Sequence, residues 1–377
     1  LRLFSLPKLG QGSDEKGICA SVRVNYDTMI SAPPHSPEAT LQQQCQQAGL
    51  SLVGIAPLTL AEAGARLQQW LAAQFHGEMA YMAKHGAKRW QPQQLVPGTV
   101  SAIMVTLDYL PEPQAQMWQQ LQRSEGAYLS RYSLGRDYHK VLRRRLKQLA
   151  EALQQAWRPF GYRIFVDSGP VMEKPLAQLA GLGWIGKHTN LVNRERGSWF
   201  FIGTLLTDLP LKPDQPASNH CGRCQRCVDI CPTGAIIAPY RLDARRCLSY
   251  LTIEHHGAIP LSLRPQLGNR IVGCDDCQLI CPWNRFAKLT AVNDFLPRHR
   301  LDQATLLELF LWDEATFLAK SEGMVLRRLG YRLWQRNLAV ALGNGPKSEA
   351  VVAALQHRLS GADPMVAEHI VWALTYR

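Results

Sequence analysis

Cys221-x2-Cys224-x2-Cys227-x3-Cys231-Pro232, then Cys247, then Cys274-x2-Cys277-x3-Cys281-Pro282 is the stretch that decides this chain. The first run has the spacing of bacterial ferredoxins that carry cubane iron–sulfur clusters. The second is the same run short of one cysteine, and Cys247 can supply the missing ligand. The x2 steps let neighbouring thiolates reach three corners of one cubane, while the cysteine before each proline points to the other cluster. Cluster one is then Cys221, Cys224, Cys227 and Cys281; cluster two is Cys231, Cys247, Cys274 and Cys277. Pro232 and Pro282 lack an N–H and turn the chain away from the cluster. Two [4Fe–4S] clusters handle electrons singly, so the chain reads as a redox protein. Zinc also uses Cys-x2-Cys pairs, but this spacing is over-specified for it and nearly repeats. Disulfides need an oxidising compartment. Cys19 and Cys45 fall outside the pattern and read as ordinary thiols.

The remaining sequence is consistent with a soluble, several-part protein. At 377 residues it has room for two or three structural units. A hydrophobic content of 46% supports a normal core. No apolar run reaches the ~18 residues that cross a bilayer; the longest, Trp199 to Leu206, reads as a buried strand. The expected location is the cytoplasm. Residues 1–28 show no clear period and Met29 is a plausible start, so residues 1–36 are expected to be an extension, with the native status of 1–28 open. A formal net charge of +12 suggests a polyanionic partner, with nucleic acid first. The charge is concentrated in residues 131–147, where Arg136, Lys140, Arg143 and Lys147 fall on one helical face, and in residues 322–338, with Arg327, Arg328, Arg332 and Arg336.

Apolar runs near 52–55, 102–107, 163–167, 191–192 and 200–206 alternate with helical segments near 60–75, 136–157 and 172–180. This predicts a mixed α/β region. From about Asp302 the pattern is helical, and Asn337–Leu342 recurs as His369–Leu374, in the manner of stacked helical hairpins of the HEAT type. Gly181-Leu-Gly-Trp-Ile-Gly186 matches GxGxxG, and continues into a partial Walker A loop. A helix is expected before it, where both nucleotide motifs need a strand. The glycines are expected to let the backbone pass close to a large or flat partner. Asp137-Tyr-His139 begins like the Asp-x-His-x-x-Gly signature of cobalt-ligating proteins, but Leu142 replaces the glycine. Asp167 ends an apolar run and opens a Gly-Pro turn, which suits a cleft-facing carboxylate as well as an Asx-turn. As a general acid it would need burial to raise its pKa.

Six motifs together resemble the epoxyqueuosine reductase family from about residue 37 onward: Ser130–Lys140, Val166–Pro170, Gly181–His188, Cys221–Pro232, Asp243–Cys247 and Gly273–Asn284. The core and cluster parts are also similar to reductive dehalogenases. The resemblance implies an α+β mixed architecture: an α/β cobalamin-binding catalytic domain at 37–217, a ferredoxin-like two-cluster domain at 218–290 and a HEAT-like helical tRNA-binding domain at 291–377. It implies reduction of epoxyqueuosine to queuosine at the tRNA wobble position, with electrons passed through the clusters to cobalamin. A corrinoid reductase of a small substrate is the alternative. Asp167 would be the proton donor. Arg89, Asp167, Gly186, Lys187, His188, Ser249, Tyr250, Asp275 and Asp276 would line the corrinoid. Arg143, Arg144, Lys147, Arg327, Arg328, Arg332 and Arg336 would contact tRNA. An unidentified electron donor, no membrane and a monomeric state complete the expectation. Cys247 and Cys274 adjoin Ser249-Tyr250 and Asp275-Asp276, so the second cluster is expected nearest the corrinoid.

Overall fold

The computed structural model describes residues 37–376. The N-terminal extension expected at 1–36, Met29 and Cys19 lie outside them. Four strands form one sheet in the order Leu52–Ala56, Ser101–Asp108, Phe200–Thr207, Tyr162–Phe165. Every pairing in it is antiparallel, so the alternation of strands and helices builds no parallel βαβ unit. The two central strands run in register from Ser101↔Thr207 to Asp108↔Phe200. All eight residues of Ser101–Asp108 are buried. Both faces of the sheet are covered, which is why this strand reads as a nearly continuous apolar run rather than an alternating one.

The helix Tyr138–Ala156 covers one face. Its buried residues, Val141, Leu142, Leu146, Leu149 and Leu153, recur at three- and four-residue steps. They pack with Ile103, Val105, Leu107, Phe201 and Leu205. Asp137 caps the helix by accepting a hydrogen bond from the His139 N–H. Gly203 makes the approach close: a Cβ there would stand 2.7 Å from Leu146 Cδ1. The short helix Glu173–Leu179 covers the other face, where Leu176 and Ala177 meet Ala102, Met104 and Leu206. Asp167 lies in the loop between the edge strand Tyr162–Phe165 and this short helix, with φ of +54°.

The run Leu191–Val192 does not join this sheet; it pairs with Trp184–Ile185. A helix, not a strand, precedes Gly181–Gly186, so neither nucleotide motif has its structural context. The large partner expected for these glycines is the chain itself. A Cβ at Gly183 would meet the Val192 carbonyl oxygen at 2.3 Å, and one at Gly181 the Gln215 carbonyl oxygen at 2.7 Å.

The C-terminal part contains the helices Leu306–Phe310, Glu314–Lys320, Tyr331–Asn344, Glu349–Leu359 and Pro364–Thr375. Thr305, Asp313, Ser348 and Asp363 cap four of them with side-chain hydrogen bonds. The recurring segments fall on Tyr331–Asn344 and Pro364–Thr375, whose Leu338, Ala341, Ile370 and Ala373 share one core. That core also takes in Ala127, Leu129, Ile271 and Val272. Tyr128–Leu129 pairs in parallel with Arg270–Val272. The three regions expected at 37–217, 218–290 and 291–377 therefore share cores, and the described residues fall in one compact unit. No helix among the described residues is long and apolar enough to cross a membrane.

Candidate cluster nests and active-site cleft

Cys221, Cys224, Cys227 and Cys281 line one small cavity with Lys187, His188, Pro282 and Trp283. Cys221 and Cys224 lie in the loop before the short helix Arg226–Asp229, which carries Cys227, and Cys281 lies in the turn that follows the helix Asp276–Leu279. The Trp184 indole N–H donates to Cys221 Sγ at 3.4 Å. Lys187 Nζ donates to the Gly222 and Cys224 carbonyls at 2.8 and 2.9 Å, fixing the ligand loop. Burial, then neighbouring sulfurs, push the Cys227 thiol up to about 11. Burial also raises Cys247, Cys274 and Cys277. Cys231 adds to the shift of Cys247, and Cys247 to that of Cys277, so the second set is grouped too. Thiols desolvated together around a shared void are poor as free thiols and suited to a group that replaces their protons with iron. Among the described residues, no three His, Cys, Asp or Glu side chains converge on a single-ion site.

A larger cavity of about 440 Å³ lies between the sheet and the cluster region. Leu191, Phe200, Phe201 and Ile202 give it an apolar floor; Asp167, Lys174, Asn190, Ser249, Tyr250 and Glu254 give it polar groups. Cys247 is on its wall, and no cysteine of the first set is. An apolar floor with a few convergent polar groups is the usual make-up of a cofactor site.

Several residues expected to line the corrinoid do not line this cavity. Lys187 and His188 line the first cysteine cavity. Gly186 packs beside the His188 ring and Val192. Asp275 is buried, accepting from Tyr128 OH at 2.9 Å, Ser130 Oγ at 2.5 Å and the Arg131 N–H at 2.9 Å. Asp276 accepts two hydrogen bonds from Arg270 and stands 2.8 Å from Cys274 Sγ. Both carboxylates are saturated by the loops they brace. Arg89 is buried one step behind the cleft wall, donating to the Tyr81 carbonyl at 2.5 Å; Tyr81 in turn meets Glu254. Asp167, Ser249 and Tyr250 do face the cleft.

Around Asp167 the cleft wall is a connected network. Tyr138 OH donates to Asp167 Oδ2 at 2.6 Å, and His139 Nε2 stands 3.4 Å from the same oxygen. His139 Nδ1 lies 2.8 Å from Asp137 Oδ1, and Arg328 Nη2 donates to Asp137 Oδ2 at 3.0 Å. The Asp167 N–H donates to Glu173 Oε2 at 2.9 Å. The Asp167 side chain is 64% accessible and lines the cavity. Burial alone would raise its pKa, yet the hydrogen bonds from His139 and Tyr138 outweigh burial and hold the carboxyl below its usual range. The condition set for a general acid, a carboxyl raised by burial, is therefore not met by Asp167 on its own. The raised carboxyl is its neighbour Glu173, pushed up to about 8 by burial and then by the Asp167 charge. Sequence reasoning passed over Tyr138, His139 as a carboxylate partner, Glu173 and Lys174. The only signal for them was position: two begin the helix beside Asp167, and two begin the helix after its turn.

The basic runs divide. Arg136, Lys140, Arg143, Arg144 and Lys147 are exposed, and Arg136, Lys140, Arg144 and Arg298 line a groove of about 460 Å³ that also holds Asp137, Asp294 and Glu322. Arg327, Arg328 and Arg332 are exposed. Arg336 is fully buried and cannot meet a phosphate. It donates to the carbonyls of Leu251, His255 and Gly257 and to Asn337.

Known proteins share both parts of this architecture. Residues 89–168 match the family model "Epoxyqueuosine reductase QueG, DUF1730", and residues 220–284 match "4Fe-4S double cluster binding domain". The chain is 55% identical to an epoxyqueuosine reductase of Pseudomonas aeruginosa over 350 residues, 92% of this chain and 96% of that one. It is 53% identical to that of Escherichia coli, with 89% of each chain covered. A crystal structure of an epoxyqueuosine reductase with an epoxyqueuosine-modified tRNA-Tyr stem loop is similar, with a TM-score of 0.81, 27% identity and 89% of each chain covered. Likeness to a reductive dehalogenase structure is slight, with a TM-score of 0.39 at 18% identity.

Proposed function

The chain belongs to the epoxyqueuosine reductase family, and from that membership we propose that the Asp167-lined cleft is where it reduces epoxyqueuosine to queuosine in tRNA. The enzyme is an oxidoreductase whose family depends on cobalamin and iron–sulfur clusters. The observation that carries the placement is that Asp167, the candidate proton donor, and Cys247, a ligand of the second cluster, line the same cavity. Electrons enter at the first cluster and leave at the second, which is the inner one. Bound cobalamin supplies metal chemistry at carbon that clusters lack; Ser249, Tyr250 and Asn190 on the wall and Phe200 on the floor are the residues that would hold it. Among the described residues no histidine lines the cavity, and His139, a ring near it, is engaged by Asp137 and Asp167.

The chain's own residues then supply shape and protons. The apolar floor excludes water from the reacting centre, and Asp167 presents a carboxyl to it. Phosphates of the tRNA meet the exposed cations of the helix Tyr138–Ala156 together with Arg327, Arg328 and Arg332; the wobble nucleoside has to leave its stack to enter the cleft. The stacked helices from Tyr331 onward act as a HEAT-like platform. The working form is a cytoplasmic monomer served by a separate electron donor. A small-substrate reductase would leave the exposed cationic face without a role.

The test is anaerobic incubation with cobalamin, reductant and epoxyqueuosine-containing tRNA, followed by nucleoside mass spectrometry. Queuosine is the expected product, and its absence would overturn this reading. Asp167→Asn should retain cluster absorbance and tRNA affinity while slowing turnover about 100-fold.

A further inference from the structure

The net reaction needs more protons than one carboxyl holds. An epoxide becomes an alkene when both C–O bonds break and two electrons enter; the oxygen leaves as water after taking two protons. Asp167, which its neighbours hold ionised at rest, must itself be loaded before it can hand over either. We propose that His139 is the positioning and relay residue that loads Asp167, passing its Nε2 proton to Asp167 Oδ2 for the first protonation of the leaving oxygen and, once solvent has reloaded the ring, for the second. This rests on the cleft being the site of reduction.

The geometry is specific. The His139 ring is held between two carboxylates, Nδ1 at 2.8 Å from Asp137 Oδ1 and Nε2 at 3.4 Å from Asp167 Oδ2. The ring stacks on Tyr138 at 4.1 Å, and Tyr138 stacks on Phe201 at 4.0 Å. The stack fixes the plane in which Nε2 points. Asp137 is itself pinned, as helix cap to the His139 N–H and as partner of Arg328. After the transfer the ring keeps its Nδ1 proton on Asp137, so the neutral tautomer left behind is the one the cap selects. Arg328 Nη1 lies 3.3 Å from Nε2 and, being able only to donate, fits the bare nitrogen left after the transfer; the proton that reloads the ring comes from water in the cleft.

The protonation balance agrees. Burial would lower His139, but hydrogen bonds to Asp137 and Asp167 outweigh burial and the opposing charge of Arg328, so the ring is raised. Asp167 is lowered by the same contact. In the resting arrangement the shared proton therefore sits on the ring. The groups facing His139 are Asp137 and Tyr138 on its own segment, Asp167 from the loop after the edge strand, and Arg328 from the turn Val325–Leu329. Glu173 and Lys174 face Asp167 from the opposite side. Because the ring is raised, it keeps its proton until pH climbs through the raised value, and the relay is lost above it.

The experiment is single-turnover reduction of an epoxyqueuosine-containing stem loop by prereduced holoenzyme across roughly pH 6 to 9, the range that brackets a raised imidazole. His139→Gln is expected to slow turnover about 100-fold and to abolish the alkaline limb, with cluster absorbance and stem-loop affinity unchanged. Imidazole should restore part of the rate of His139→Ala. Asp137→Asn keeps the ring but removes its main raising partner, so it should move the limb to lower pH. Histidine-ring NMR of the cofactor-free protein supplies a readout independent of turnover: the His139 pKa should lie above the ordinary value and drop in Asp167→Asn. A wild-type pH profile in His139→Gln, or a His139 pKa indifferent to Asp167, overturns the relay. No product from wild-type enzyme overturns the proposed function instead.

Discussion

Two arginine-rich segments look alike in the sequence and differ in the fold. In the helix Tyr138–Ala156 the cations project from one face while every buried position is apolar, aromatic or the pinned His139. Around Tyr331–Asn344 the run is split: Arg332 is exposed, whereas Arg336, one turn later, is enclosed. Arg336 satisfies three carbonyls of the segment 251–257, and its neighbour Asn337 donates to the Thr252 and Ile271 carbonyls at 2.8 Å. The same residue type is a surface charge in one place and a strut in the other. Periodicity shows which positions share a face, but not what covers that face.

The contrast predicts an ordered set of effects. Arg336→Ala should be the most damaging, because it leaves buried carbonyls without donors; a destabilisation of roughly 3 kcal/mol or more is expected. Thermal unfolding measures it. The Leu248–Ile253 helix carries Ser249 and Tyr250 into the cleft, so cofactor binding should weaken as well. A Tm equal to wild type would show that the strut is dispensable. Arg143→Glu with Arg144→Glu should leave the melting temperature unchanged but weaken tRNA binding. The salt slope should fall by roughly 1 for each phosphate that is no longer neutralised, measured by affinity titrations at several salt concentrations. If binding does not change, this face is only solvated. Arg327→Ala, an exposed side chain bonded to one carbonyl, should shift stability by less than about 0.5 kcal/mol; a larger drop in a denaturant titration would make it a second strut.

The cleft divides in a similar way between what the chain spells out and what it conceals. Asp167 was legible because a carboxylate ends an apolar run at a turn. Ser249 and Tyr250 follow Cys247 so closely that they share its wall. Asp275 and Asp276 are just as close to Cys274, yet they face inward, because Tyr128, Ser130 and Arg131 from a strand more than a hundred residues away come back to meet Asp275. Lys187 and His188 line the cavity of the first four cysteines rather than the cleft, because the hairpin Trp184–Ile185 with Leu191–Val192 delivers them there.

Cysteine spacing by itself pointed to two groups of four thiols, since ligand order around a cubane is a local property of short loops, and the fold gathers Cys221, Cys224, Cys227 and Cys281 about one cavity. Hydrophobic period likewise determined the sheet strands, the long amphipathic helix and the helical C-terminal region. Only the tertiary structure decided which charges are buried and which neighbours set each pKa. Those depend on contacts between segments far apart in the chain. The Asp167 carboxyl is the clearest case. Desolvation by the protein around the cleft argues for a raised pKa, and two side chains from the start of another helix reverse it, because hydrogen bonds to the ionised form outweigh desolvation there.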